Sequence, residues 1–352
     1  MTKKITLRRP DDWHLHVRDD AVLKAVLPYT AEHFARAIIM PNLTPPVVRY
    51  QEATSYRARI KSIATATGWP SFEPLMTLYL TETSDPKNVR SGFESEAVVA
   101  AKLYPAGATT NSDAGVQKIE KIYPVLETMQ EMGMPLLIHG EVVDSSIDIF
   151  DREAAFIERT LIKLVDRFPE LPIVLEHITT VDGVDFVRGA SNKVAATITP
   201  HHLVINRNAM LVGGIQPHYY CLPVAKRESH RAALVQAAVS GSRKFFLGTD
   251  SAPHTLDSKE SSCGCAGIFN VPVALSVLAH IFEAADALDK LEGFCSVNGA
   301  EFYRLPLNED SLTLVKSDTP VPFSDLIFTE NGEIKVFDPM FDLYWSIEEQ
   351  IR

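Results

Sequence analysis

The residues best equipped for chemistry stand almost at the start of the chain, in Asp12-Trp13-His14-Leu15-His16-Val17-Arg18. If this stretch is a β-strand, successive side chains alternate between faces, so His14 and His16 share one. Two imidazoles a strand repeat apart are half of a metal site, because imidazole is the commonest protein ligand for zinc-like ions. An ordinary half-buried strand with alternating histidines has the same pattern, so the motif gains meaning only if later stretches supply more ligands. Three do. Short apolar runs close in His139-Gly140-Glu141, in Glu176-His177 and in Leu247-Gly248-Thr249-Asp250. Four histidines and an aspartate are too many ligands for one tetrahedral ion. They suit two ions about 3.5–4 Å apart with a bridging group between them. Lys102, at the end of Val98-Val99-Ala100-Ala101-Lys102, is the candidate bridge. Such a lysine usually snorkels to water, but here an ammonium would face two dications. A desolvated neutral amine can instead take up CO2, and the carbamate has two oxygens able to bridge both ions.

These residues need a scaffold that brings strand ends together. Eight candidate strands recur along the chain: Asp12–His16, Arg36–Met40, Phe72–Leu80, Val98–Tyr104, Pro135–His139, Pro172–His177, Val194–Thr199 and Lys244–Asp250. Helical periodicity fills Gln51–Thr65, Val116–Met132, Ile147–Phe168 and Glu228–Val239. Strands apolar on both faces and alternating with helices are parallel and doubly covered. Eight such units predict an α/β fold, the TIM (β/α)8 barrel, which gathers catalytic residues at the C-terminal ends of its strands. The barrel is expected over residues 1–303. Beyond it Pro306, Pro320, Pro322 and Pro339 punctuate an irregular extension, 304–352, packed on the barrel.

Composition narrows the function. The 352 residues are 46% hydrophobic and carry a net charge of −11 without a run of Lys or Arg, which argues against nucleic acid or an anionic membrane as partner. A small-molecule substrate fits better. The basic start, Met1–Arg9, lacks the apolar segment of a secretory signal. The longest apolar run, Val271–Phe282, is too short to span a bilayer and is expected as a buried helix. A cytoplasmic location follows as an expectation, and Cys221, Cys263, Cys265 and Cys295 are expected as reduced thiols. Cys263-Gly264-Cys265 has C-x-C spacing and no histidine nearby in sequence, so it reads as a tight loop and not a metal pair. No glycine-rich phosphate loop occurs, which leaves nucleotide-dependent chemistry unsupported.

Taken jointly, several motifs resemble the amidohydrolase superfamily, and within it the short bacterial branch that closes and opens the dihydroorotate ring. They are Arg9-Pro10-Asp11-Asp12-Trp13-His14-Leu15-His16-Val17-Arg18, Met40-Pro41-Asn42, Ala101-Lys102-Leu103-Tyr104-Pro105, His139-Gly140-Glu141, Glu176-His177-Ile178-Thr179, Leu247-Gly248-Thr249-Asp250-Ser251-Ala252-Pro253-His254 and Cys263-Gly264-Cys265-Ala266-Gly267. The resemblance runs from Leu7 to Tyr303. It implies two Zn2+ ions, one held by His14, His16, carboxylated Lys102 and Asp250, the other by Lys102, His139 and His177, with a bridging hydroxide. It further implies a substrate carboxylate held by Arg18, Asn42 and His254, backbone contacts at Leu222 and Ala266, and a lid carrying Thr109 and Thr110. Asp250 would be the proton carrier in the reversible conversion of N-carbamoyl-L-aspartate to L-dihydroorotate, a step of pyrimidine biosynthesis, in a homodimer. Arg18 agrees with that role from its own chemistry: expected on the face of His14 and His16, it offers a planar fork suited to a carboxylate. Another cyclic-amide hydrolase of the superfamily, hydantoinase-like, is the competing reading, and a non-catalytic barrel scaffold a more distant one. Gln216 departs from the pattern, in which a basic residue is expected at that position.

Overall fold

The computed structural model describes residues 3–348; residues 1–2 of the basic start and 349–352 of the extension lie outside the described residues. A first strand, β1 (Lys4–Arg8), precedes the barrel. Eight parallel strands then follow in sequence order around it: β2 (Asp11–Leu15), β3 (Arg36–Ile39), β4 (Glu73–Tyr79), β5 (Ala100–Leu103), β6 (Leu136–His139), β7 (Ile173–Glu176), β8 (Val194–Ile198) and β9 (Phe245–Leu247). All eight lie within the stretches expected as strands, allowing a residue at β2. Their residues are almost all buried, since helices cover the outer face and side chains fill the inside. Inside, Trp13, Ile38, Leu137, Val174 and Phe246 form a floor on which Tyr303 stacks against Trp13 at a 4.7 Å centroid separation.

Between β9 and β2 the barrel closes by a short parallel bridge, Leu15 to Ser251, in which Asp250 N donates to His14 O at 2.9 Å and His16 N to Ser251 O at 3.0 Å. Asp12 reinforces the seam. Its buried carboxylate accepts from His14 N (3.1 Å), Thr249 N (2.8 Å) and Thr249 Oγ1 (2.5 Å). Burial nonetheless pushes its pKa up to about 7, against the pull of those Thr249 bonds. The seam thereby ties the strand that carries His14 to the segment after β9 that carries Asp250.

The strand β2 is not regular. Trp13 packs in the barrel interior and Leu15 in the outer core, although residues two apart share a face in an even strand. The pairing register shifts between Asp12 and Leu15, and the extra residue lets His14 turn inward beside Trp13. Gly248 of the facing segment makes room: a Cβ there would stand 2.9 Å from the Cβ of His14 and 2.8 Å from that of Thr197.

The helices depart from expectation at their starts. Tyr50–Ala66 and Glu228–Ala238 match. The element expected from Val116 is a loop and a 3-10 turn, Ile119–Ile122, before an α-helix at Tyr123–Met132, which begins where Pro124 is tolerated in the first turn. The one expected from Ile147 begins at Arg152 and contains a π turn at Ile157–Leu161. The apolar run gives the buried helix Ala274–Ala284, and among the described residues no helix is long and apolar enough to cross a membrane.

The extension expected to be irregular carries strands: β10 (Ser311–Lys316), β11 (Leu326–Thr329), β12 (Gly332–Lys335) and β13 (Trp345–Ile347). β10 pairs antiparallel with both β1 and β13, so the two ends of the chain share one small sheet. β11 and β12 form a short hairpin of their own, and all four strands are short runs among prolines and turns, which obscured them in the sequence. Glu283, on the barrel helix Ala274–Ala284, pins this sheet by accepting from Trp345 Nε1 (2.9 Å), Lys316 Nζ (2.8 Å) and Lys3 Nζ (3.0 Å). Burial raises its pKa, but these donors outweigh burial and hold it near 2. A depressed carboxylate stabilises the fold above its unfolded pKa and loses that contribution as pH falls through the folded value. Glu283→Gln is therefore expected to cost roughly 1 kcal/mol at pH 7, with the gap to wild type closing between pH 4.5 and 2. Thermal melts across that range check it; a gap independent of pH would leave only a packing effect.

Candidate metal centre and substrate pocket

At the C-terminal mouth of the barrel, three donor atoms from two neighbouring segments converge. His14 Nε2 lies 3.2 Å from His16 Nε2, and Asp250 Oδ1 lies 3.2 Å from each of them. A tetrahedron with edges of that length has its centre about 2.0 Å from each corner, the ordinary zinc–nitrogen distance. The triangle thus has the size of three ligands around one ion. His14 Nδ1 is 3.1 Å from Glu176 Oε1, within ionic range but not aligned as a hydrogen bond, so both atoms are buried without a hydrogen-bond partner. The electrostatics favour a cation here. Burial opposes charge on His14, yet Glu176 and Asp250 overcome it and hold the pKa at about 9. By contrast, burial pulls His16 down to about 4 and His177 well below its usual value, leaving neutral imidazoles with a lone pair to offer.

The second half of the centre is arranged differently. His177 lies between His14 and His139, its ring tilted against theirs at centroid separations of 5.0 and 4.9 Å, and its Nδ1 is buried without a hydrogen-bond partner among the described residues. His139 Nε2 meets Glu141 Oε2 at 2.8 Å. A carboxylate on one imidazole nitrogen is what fixes the tautomer of a metal-ligating histidine, and it leaves Nδ1 as the free donor. Lys102 is wholly buried, with its Nζ in close contact with Glu176 Oε2. Burial lowers its pKa while Glu176 pulls it back. Glu176 and Glu141 are the groups the sequence reading left without a role. The signal was present: each carboxylate sits one or two positions from a strand-end histidine.

The pocket above these residues is lined by Arg18, Asn42, Thr109, Thr110, Leu222, Ala266 and the histidines, with Tyr104 and Cys221. Arg18 is not on the strand, which ends at Leu15. A positive φ of 57° turns it back over the site, where its guanidinium donates to Pro253 O (3.2 Å) and lies 2.9 Å from His254 Nε2. The same His254 nitrogen lies 3.0 Å from Ala266 O, so one tautomer can satisfy only one of these contacts. Burial, with Arg18 and Lys259 adding to it, drives the His254 pKa down to about 2. His177 and Asp250 also have positive φ, 42° and 45°. Side chains rarely adopt this conformation, and of the nine non-glycine residues that do so among the described residues, these three line the pocket. The loop with Thr109 and Thr110 lies closed over the pocket: Asn42 Nδ2 donates to Thr110 O (3.0 Å), and Thr110 Oγ1 to Ala266 O (3.3 Å).

A barrel with this donor set at its mouth defines a class. The chain belongs to the amidohydrolase family, whose sequence profile matches residues 12–312. Its full-length relatives sharpen the assignment. A dihydroorotase of Chelativorans sp. is 58% identical over 347 residues, covering 99% of this chain and all of that one. The crystal structure of dihydroorotase from Campylobacter jejuni superposes with a TM-score of 0.89 at 36% identity, covering 99% and 98% of the two chains. The dihydroorotase of Saccharomyces cerevisiae, in complex with 5-fluoroorotic acid, gives 0.89 at 34% identity over 98% of each. Within the amidohydrolases, this chain stands among the dihydroorotases.

Proposed function

We propose that the chain catalyses the reversible cyclisation of N-carbamoyl-L-aspartate to L-dihydroorotate in pyrimidine biosynthesis, at a centre of two zinc ions. The observation that carries this reading is the coexistence, in one pocket, of the donor triangle His14, His16 and Asp250 with the Arg18 fork. A hydantoinase-like reading accounts for the triangle but gives the half-buried arginine no anion to bind.

His14, His16 and Asp250 would hold one ion and His139 and His177 the other, with Lys102 as its carbamate between them. Lys102 would supply the bridge by adding its neutral amine to CO2, forming the N–C bond and releasing one proton; its burial favours that neutral form. When bound, the ions would make water acidic enough to supply hydroxide near neutral pH and would polarise the ring carbonyl. Asp250 then takes the proton of the attacking oxygen and passes it to the amide nitrogen as the ring opens. In the biosynthetic direction it begins protonated, N-carbamoyl-L-aspartate plus a proton giving L-dihydroorotate plus water. Arg18, Asn42 and His254, with the backbone at Leu222 and Ala266, orient the α-carboxylate. We place the enzyme in the cytoplasm, where free thiols such as its four cysteines persist, and assign it a homodimeric state.

The test is incubation of purified protein with N-carbamoyl-L-aspartate, with dihydroorotate followed by absorbance and metal measured on the same sample. Absence of product from protein carrying two zinc ions would favour the hydantoinase-like reading. The lid is tested separately. Thr109→Ala with Thr110→Ala removes the Thr110 hydroxyl that reaches Ala266 O, with the hydroxyl of its pocket-lining neighbour, and is expected to lower kcat by roughly 10- to 100-fold while metal content stays constant. Loss of metal instead would move the loop from lid to scaffold.

A further inference from the structure

Lys259 is buried, 3% exposed, at the end of the helix Leu256–Lys259, yet among the described residues no carboxylate meets it. Its Nζ donates instead to three backbone carbonyls: Tyr220 O (2.7 Å), Cys265 O (2.8 Å) and Gly267 O (2.7 Å). An ammonium has three N–H donors, and here all three are used. The three carbonyls belong to two segments distant in sequence. Tyr220 lies two residues before Leu222, and Cys265 and Gly267 flank Ala266 on both sides. The segments are tied to each other as well, since Gly267 N donates to Tyr220 O at 3.0 Å. Gly267 has φ +153°, and a Cβ on it would meet Ala252 O at 2.5 Å, so the strap runs tight against the segment leading to His254. Ala266 O then meets His254 Nε2 and lid Thr110 Oγ1.

We infer that Lys259 is the positioning residue of the substrate-carboxylate half of the pocket, holding the Leu222 and Ala266 backbones in register with each other and with His254. This rests on the reading above, in which those backbones contact the substrate. Lys259 touches no reacting atom; it acts through the two loops it joins. A neutral amine has only two N–H donors and would turn its lone pair toward one of the carbonyls, so the clamp needs the charge.

Keeping that charge in a buried place has a cost, and burial pulls the Lys259 pKa down to about 8, with the thiols of Cys221 and Cys265 acting to raise it. Tyr220 and His254 also face it, and His218, Lys335 and Asp338 stand around the small cavity behind it. The clamp is expected to loosen as pH rises past about 8.

The experiment is steady-state kinetics on zinc-loaded wild type, Lys259→Met and Lys259→Arg in the ring-closing direction from pH 6.5 to 9.5, with metal content measured. Lys259→Met is expected to raise KM roughly 10- to 100-fold while kcat stays within about threefold. Wild-type KM should climb at the alkaline end, and the Lys259→Arg profile should lack that climb because a guanidinium does not titrate there. Unchanged KM in Lys259→Met, or a fall confined to kcat, would overturn the assignment. Should Lys259→Met fail to fold, the arginine variant decides alone: an alkaline climb identical to wild type overturns it. A zinc-loaded wild type that makes no dihydroorotate would instead overturn the reading of the site itself.

Discussion

Lys102→Arg will abolish turnover as completely as Lys102→Ala. Arginine keeps a cation opposite Glu176, the partner of Lys102 in the barrel, so a site that works through that ion pair would tolerate it. A guanidinium, however, stays protonated and cannot add to CO2 to give a bridging carbamate. Both variants are expected to lose turnover by on the order of 10^3-fold or more, the scale of removing charge stabilisation from a reacting centre. Both should also bind fewer than two zinc ions per chain, which elemental analysis of dialysed protein will read. In the metal-free protein, where Lys102 faces Glu176 as an amine, alanine additionally leaves that carboxylate buried without its partner, and breaking such a pair costs about 3–5 kcal/mol. Assays well below the melting temperature of each variant therefore separate lost chemistry from lost fold. Lys102→Arg retaining two metals and wild-type turnover would mean that the lysine works as an ammonium, and the carbamate would have to be abandoned.

Strand positions were legible because most barrel strands are largely apolar runs, as burial on both faces requires, and the polar residues that interrupt them are mostly those of the site. The convergence of His14, His16, His139, His177 and Asp250 was legible for the same reason: each falls at or just past a strand end, where the barrel brings side chains together. Local backbone was not legible. Simple alternation places His14 and His16 on one face, and they do converge, but through a register shift in β2 and a strand that ends at Leu15. Arg18 reaches the pocket by a left-handed turn that no side-chain pattern announces. Of the strands of the extension, β10 was hidden because its partner β1 lies some three hundred residues away. Such long-range pairing leaves no periodicity in a four- or five-residue strand. Glu176, Glu141 and Lys259 escaped for a different reason. Buried charges are rare enough that a charged residue in sequence reads as surface, and only the partners reveal otherwise.

Arg18→Met is expected to separate substrate carboxylate from ring. The guanidinium donates to Pro253 O, and a second nitrogen faces His254. Burial works against its charge, which makes a bound anion the natural completion of its surroundings. Losing a half-buried, charge-assisted bidentate pair to a carboxylate costs about 3 kcal/mol, or roughly 10^2-fold in kcat/KM for dihydroorotate. Dihydrouracil has the same ring without the carboxylate. It should be a poor substrate for wild type and should change by less than about threefold in the variant, so that the cycle of two enzymes and two substrates isolates the carboxylate contact. Arg18→Lys keeps the charge but not the planar fork, and it should recover only part of the loss. Equal losses on the two substrates would instead make Arg18 a support for His16 and His254. The carboxylate would then need another site, and with it the case against a hydantoinase-like activity would fall.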